Sequence, residues 1–208
     1  MAIEALLFDL GKVLIDFDFE IAMRHFAARS GLPREEFEQI LRDPDWVCRY
    51  ESGDISTGDY HRYLCENGRL QMTIEEFHEA WGAVFLPDLI VPERLLASLK
   101  TRYPLILVSN TNESHVRFIE REYRVLSHFD HRIFSHEVGS MKPDRKIYEA
   151  AIAAAGKPPE SLFFTDDRPE NVEGARELGI RAHQFKSVRG LLDALKMHSV
   201  AVGDFVPA

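Results

Sequence analysis

The sequence predicts an α/β fold, a Rossmann-like parallel sheet core with helices on both faces, plus an inserted all-helical cap. Three observations predict it. Short apolar runs at residues 5–8, 104–108 and 161–165 have the length of strands buried on both faces. From residue 90 onward such runs alternate with helical periodicity, the pattern of a parallel sheet crossed by helices. Between the first run and the second, residues 17–86 show helical periodicity and turn signals but no strand signal.

The first run ends in Asp9, and Gly11 follows two residues later. Residues 15–19 alternate polar and apolar and read as a short extended flap. Phe19, Ala22, Met23, Phe26 and Ala27 then recur on one helical face. Gly31 and Pro33 break that helix, and Phe37, Ile40 and Leu41 supply the apolar face of the next, which Asp43-Pro44 stops. Residues 46–50 are ambiguous. Ser56 is a good N-cap for a helix carrying Tyr60, Tyr63 and Leu64 and ended by Asn67-Gly68. Thr73-Ile74-Glu75-Glu76 is a capping box opening a helix with Phe77, Ala80, Trp81, Val84 and Phe85 on its face. Pro87 and Pro92 mark the return to the core. Strands at 104–108, 133–134, 161–165 and 180–185 then alternate with helices built on Leu95–Leu99, Val116–Tyr123, Ile147–Ala154, Val172–Leu178 and Val188–Leu195. The division that follows is a core of residues 1–16 and 87–208 and a helical cap of residues 17–86.

The formal net charge of -9 argues against nucleic acid or an anionic membrane as partner. It also means that an anionic ligand needs a placed lysine or a metal ion. Cys48 and Cys65 have neither metal-ligand spacing nor a disulfide framework and read as free thiols in a reducing compartment. The N-terminus lacks the build of a signal peptide, and no apolar run approaches a membrane span. The expectation is a soluble cytoplasmic protein.

Polar residues gather at the strand ends: Asp9, Ser109-Asn110, Lys142 in a loop after a strand, and Asp166-Asp167. A parallel sheet brings such residues together at one edge, where ligands bind. Each also has a plainer use. Asp9 suits a helix or turn cap, Ser109 an N-cap, and Asp166-Asp167 an N-cap pair, while a lone Lys142 suits a solvated surface. Asn171 fits a polar helix position as well as it fits a role orienting the acidic loop.

Four signatures in this order resemble those of the haloacid dehalogenase-like (HAD) hydrolase superfamily. They are Phe8-Asp9-Leu10-Gly11-Lys12-Val13-Leu14, Val108-Ser109-Asn110-Thr111, Met141-Lys142-Pro143-Asp144 and Phe164-Thr165-Asp166-Asp167-Arg168-Pro169-Glu170-Asn171. The likeness covers nearly the whole chain, with the helical stretch where that superfamily inserts its cap. The pattern is most similar to the branch that includes bacterial glucose-1-phosphate phosphatases. The resemblance implies a Mg²⁺-dependent phosphatase of small phosphorylated metabolites, with Asp9 as nucleophile and an aspartyl-phosphate intermediate. It further implies Mg²⁺ ligands in Asp9, the Gly11 carbonyl and Asp167, with Asp166 a ligand or a supporting group. Ser109 and Asn110 would bind the phosphoryl oxygens, and Lys142 would compensate charge on phosphate and nucleophile.

The chain departs from the superfamily pattern at Gly11, where most of its phosphatases carry a second aspartate that handles protons. Three explanations follow: an easily expelled leaving group such as an anomeric oxygen, a substitute group such as Asp16, Asp18 or His61, or a member that binds phosphorylated ligands without turnover. A metal-independent 2-haloacid dehalogenase also lacks that aspartate, but gains nothing from Asp166 and Asp167. Phe26, Trp46 and Trp81 read as bundle core rather than sugar platforms.

Overall fold

The computed structural model describes residues 2–203 and Phe205. Strand β1 (Ala5–Phe8) leads through the short strand β2 (Ile15–Phe17) into five helices: α1 (Phe19–Ala27), α2 (Arg34–Leu41), α3 (Pro44–Glu51), α4 (Thr57–Asn67) and α5 (Ile74–Gly82). Strand β3 (Phe85–Leu89) returns the chain to α6 (Glu93–Lys100), β4 (Leu105–Ser109), α7 (Glu113–Glu122), β5 (His131–Phe134), α8 (Ser135–Val138) and α9 (Arg145–Ala155). Strand β6 (Leu162–Asp166), α10 (Pro169–Glu177), β7 (Arg181–Gln184) and α11 (Val188–Met197) complete it.

Five strands form one sheet in the order β5-β4-β1-β6-β7, every neighbouring pair parallel. The chain builds outward from β1 through β4 to β5, then crosses back to build β6 and β7 on the other side. That reversal makes the ends of β4, β1 and β6 the topological switch point, the place where such sheets bind ligands. Asp9 follows β1 directly, and Ser109 and Asp166 are the last residues of β4 and β6.

The strands are apolar throughout because both faces are covered. Leu6, Phe8, Leu105 and Leu107 pack on one face with Leu95, Leu96 and Leu99 of α6 and Leu191 and Leu195 of α11. Ala5, Leu7, Ile106 and Val108 pack on the other with Ile147, Tyr148 and Ala151 of α9 and Ala175 of α10. Leu95, Leu96 and Leu99 are fully buried. Each such leucine contributes about 1.5–3 kcal/mol relative to exposure, which holds α6 against the sheet.

Helices α1–α5 enclose a separate apolar cluster around Phe26, Phe37, Tyr60, Phe77 and Trp81. Phe77 stacks on Trp81 with centroids 5.8 Å apart, and Phe26 on Phe77 at 5.5 Å. Reciprocal capping boxes at Ser56 and Thr73 open α4 and α5, each satisfying two backbone N–H groups left over at a helix start. Trp46 is only partly buried and stacks on Tyr63 at 3.9 Å, at the edge of the cluster.

The cap segment departs from the expected pattern in two places. Residues 17–86 are not all helical: Phe17 and the first residues of β3 form strand. β2 and β3 pair antiparallel, Ile15 with Leu89 and Phe17 with Phe85. This ribbon ties the chain's exit from the core to its return. The ambiguous stretch at 46–50 is helical within α3, because Asp43 accepts hydrogen bonds from Asp45 N (3.0 Å) and Trp46 N (3.3 Å) while Pro44 fills the first turn. The same dipeptide that stops α2 starts α3. Cys48 and Cys65 are free thiols. Among the described residues no helix is long and apolar enough to cross a membrane.

Candidate active site

A cleft of about 220 Å³ opens over the ends of β4, β1 and β6, and Asp9, Gly11, Ser109, Asn110, Lys142 and Asp167 all line it. Its centre is an ionic cluster. Lys142 Nζ donates to Asp9 Oδ1 (2.6 Å), Asp166 Oδ2 (2.6 Å) and the Val108 carbonyl (2.7 Å). Its side chain is 1% exposed, far from a solvated surface lysine. Burial works against this ammonium, but the charges of Asp9 and Asp166 outweigh it and raise its pKa.

Asn110 holds the lysine in place. Its side-chain amide donates to the Lys142 carbonyl (2.9 Å) and accepts from the Lys142 N–H (2.7 Å). Asp166 is completely buried. It accepts from Asn171 Nδ2 (3.0 and 3.1 Å) and from the Arg168 N–H (2.9 Å) as well as from Lys142. Asn171 thus orients Asp166, one of the two roles its sequence position allowed. Gln184 Nε2 steadies the Asp167 carbonyl at 3.0 Å. Asp166 and Asp167 are not N-cap side chains of α10, whose cap is Arg168 with no side-chain bond. Ser109 is not an N-cap either, since Asn112 caps α7. The buried Ser109 hydroxyl makes only a long bond of 3.4 Å to the Asn110 carbonyl among the described residues.

Asp9, Asp166 and Asp167 each offer one carboxylate oxygen, and these oxygens lie within 4.8 Å of one another. Burial pushes the Asp9 carboxyl up to about 7, with Lys142 pulling down and Asp166 pushing further up. Burial, then the charge of Asp166, also raises Asp167. When all three are ionised, the one buried ammonium leaves two negative charges unbalanced. An all-oxygen donor set with that deficit fits a hard divalent cation such as Mg²⁺.

Gly11 lies under the edge of the Phe17 ring. A Cβ there would sit 2.8 Å from Cε1 of the Phe17 ring. The three substitutes named for its missing aspartate lie outside the cleft lining. Asp16 pairs with Lys12 and accepts from the Phe17 N–H at 2.8 Å, and the Lys12 bond holds its pKa down. Asp18 caps α1 through the Glu20 N–H. His61 faces the Met72 carbonyl at 2.9 Å.

The cap closes the cleft with Phe17, Phe19, Glu51, Val84 and Phe85. Sequence reasoning passed over Glu51, the last residue of α3, because a glutamate at a helix end has no signal that separates it from a solvated one. His115 of α7 also lines the cleft, stacked on Trp81 at 5.6 Å. Burial pushes its pKa down to about 3, so its ring is neutral.

A haloacid dehalogenase-like hydrolase family model matches residues 3–179. The D-ribitol-5-phosphate phosphatase of Bacteroides thetaiotaomicron is 23% identical over 188 residues, covering 88% of this chain and 91% of that protein. The structure of HAD family enzyme bt-2542 from the same organism, in complex with magnesium and inorganic phosphate, superposes with a TM-score of 0.77 at 28% identity. That match covers 90% of this chain and 96% of the other. A HAD-like family hydrolase from Porphyromonas gingivalis gives a TM-score of 0.78 at 29% identity over 95% of this chain and 98% of its own. A family match over most of the chain and a shared fold lead to one conclusion: the chain belongs to the haloacid dehalogenase-like hydrolase family.

Proposed function

We propose that this hydrolase is a Mg²⁺-dependent phosphatase of small phosphorylated metabolites, sugar and sugar-alcohol phosphates above all, working through an aspartyl-phosphate on Asp9. One observation carries the reading: Asp9 at the central switch point shares Lys142 with Asp166, beside Asp167, in a single cleft. Asp9, the Gly11 carbonyl and Asp167 would hold the cation, with Asp166 orienting the group through its bonds to Lys142 and Asn171. When bound, Mg²⁺ offsets the repulsion between carboxylate and phosphate and polarises the phosphoryl oxygens. Asp9 attacks phosphorus, and the bond to the leaving oxygen breaks. Lys142 keeps Asp9 aimed and adds positive charge where the phosphoryl oxygens gather. The Ser109 hydroxyl and the Asn110 N–H donate to those oxygens. Water then cleaves the aspartyl-phosphate. The same three carboxylates disfavour a haloacid substrate, whose own carboxylate would join them.

Two substrates stand first. D-ribitol 5-phosphate is suggested by the named relative, and glucose 1-phosphate by the motif pattern and by the acidity of an anomeric leaving oxygen. Phosphate release from both, with Mg²⁺ and with EDTA, tests the reading. Release that requires Mg²⁺ and disappears in Asp9→Asn is the expected result. Equal release in EDTA, or full rate in Asp9→Asn, would overturn it.

A further inference from the structure

We propose that Glu51, at the end of α3 in the cap, is the residue that donates the proton to the leaving oxygen and then takes one from the attacking water. The inference rests on the phosphatase reading and supplies the proton carrier that Gly11 cannot. Of the carboxylates lining the cleft, Glu51 alone lies outside the three-aspartate cluster. It comes from helix α3 of the cap, whereas Asp9 comes from the strand ends, and both line the one cleft. An in-line attack by Asp9 expels the leaving oxygen away from those strand ends.

The other charged or titratable groups at the cleft are committed elsewhere. Lys12 is paired with Asp16 and donates to the Phe17 carbonyl at 2.9 Å. Lys142 is saturated by its three acceptors. Arg168 is paired with Glu170 at 2.5 Å. His115 is held neutral, with Nδ1 3.2 Å from the Asn112 amide nitrogen. Among the described residues the Glu51 carboxylate makes no side-chain hydrogen bond and no ion pair, so it is left to meet a ligand in the cleft that it lines.

Its surroundings suit a proton carrier. Glu51 stands where the cleft meets an apolar cavity of about 300 Å³ in the cap, lined by Phe19, Ala22, Met23, Leu41, Val47 and Trp81. Arg42 also borders that cavity but is turned to Glu38 at 2.9 Å. Glu51 is half-buried, and that burial pushes its carboxyl up to about 7, with Arg168 pulling the other way, which brings it into the range a proton carrier needs.

The step balances. The Glu51 carboxylic acid gives its proton to the leaving oxygen as the phosphorus–oxygen bond breaks, releasing an alcohol. Water then attacks the phosphorus of aspartyl-phosphate and gives a proton to the Glu51 carboxylate. The bond to Asp9 breaks, so hydrogen phosphate departs and both residues return to their starting states.

The test compares the Mg²⁺-loaded wild type with the near-isosteric Glu51→Gln variant on two esters. One is an alkyl phosphate, ribitol 5-phosphate. The other is p-nitrophenyl phosphate, whose leaving phenolate needs no proton. The variant should lose about 100-fold or more in kcat on the alkyl ester. On the aryl ester it should give a rapid burst of about one equivalent of nitrophenol per enzyme, because the intermediate still forms and its hydrolysis lacks a base. The wild-type rate on the alkyl ester should also fall as pH rises through the Glu51 pKa, a limb that Glu51→Gln removes. Equal losses on both esters without a burst would mark Glu51 as a structural residue of the cap, and unchanged rates on both would leave it no role; either overturns the proposal. A wild type that releases no phosphate from either ester defeats the phosphatase reading itself, and this proposal with it.

Discussion

Lys142 gathers two carboxylates and a backbone carbonyl around a single ammonium with almost no solvent contact. A compact ammonium suits three acceptors spread around a point better than a planar guanidinium does. Removing it leaves Asp9 and Asp166 buried without compensation. Lys142→Met should therefore lose about 3–5 kcal/mol of stability, measured by urea unfolding in EDTA. A variant as stable as wild type would show that the carboxylates find water instead. At this scale the strand-end acids and Lys142 were legible in the sequence, because their order along the chain matches one motif set. The role of the Asn110 side chain was not, since its partner lies 32 residues away and is a backbone group that no sequence pattern marks.

Helix α5 seats the cap on α7 of the core. Arg121 grips Glu79 with two bonds of 2.5 and 2.7 Å, and Tyr50 shares a bond of 2.8 Å with Ser114. The exposed ion pair adds little. The close approach at Gly82 matters more, because a Cβ there would lie 2.5 Å from Cβ and Cγ of Phe118. Gly82→Ala should push α5 off α7 and cost about 1–3 kcal/mol, read as a lower urea midpoint. An unchanged midpoint would show that α5 and α7 move apart at no cost. Long amphipathic helices such as α4 and α5 were readable from period and caps. Of the β2–β3 ribbon only the extended stretch at β2 was, and neither β3 nor the pairing was. Its strands are short, Pro87 inside β3 reads as a break, and the pairing that makes them strands spans the whole cap.

At the scale of the molecule, the acidic cluster is assembled only when β1 and β6 lie side by side, so an ion bound there favours the folded chain. A Mg²⁺ concentration of 100 times its Kd should add about 2.7 kcal/mol to stability. Thermal unfolding with Mg²⁺ and with EDTA reads this as a higher Tm, and Asp167→Asn should shrink the difference. Identical midpoints in the two buffers would argue that the acids do not collect a cation. The overall architecture was the most legible part of the sequence. Runs buried on both faces alternating with helices leave few topologies, and the right-handed crossover rule prunes those further.

The contact between Gly11 and Phe17 also constrains how this site can change over generations. An aspartate placed at position 11 on its own meets the edge of the Phe17 ring, so the ring has to shift to admit it. The two positions are therefore epistatic. What position 11 can hold is set by the residue at 17, and the reverse is equally true.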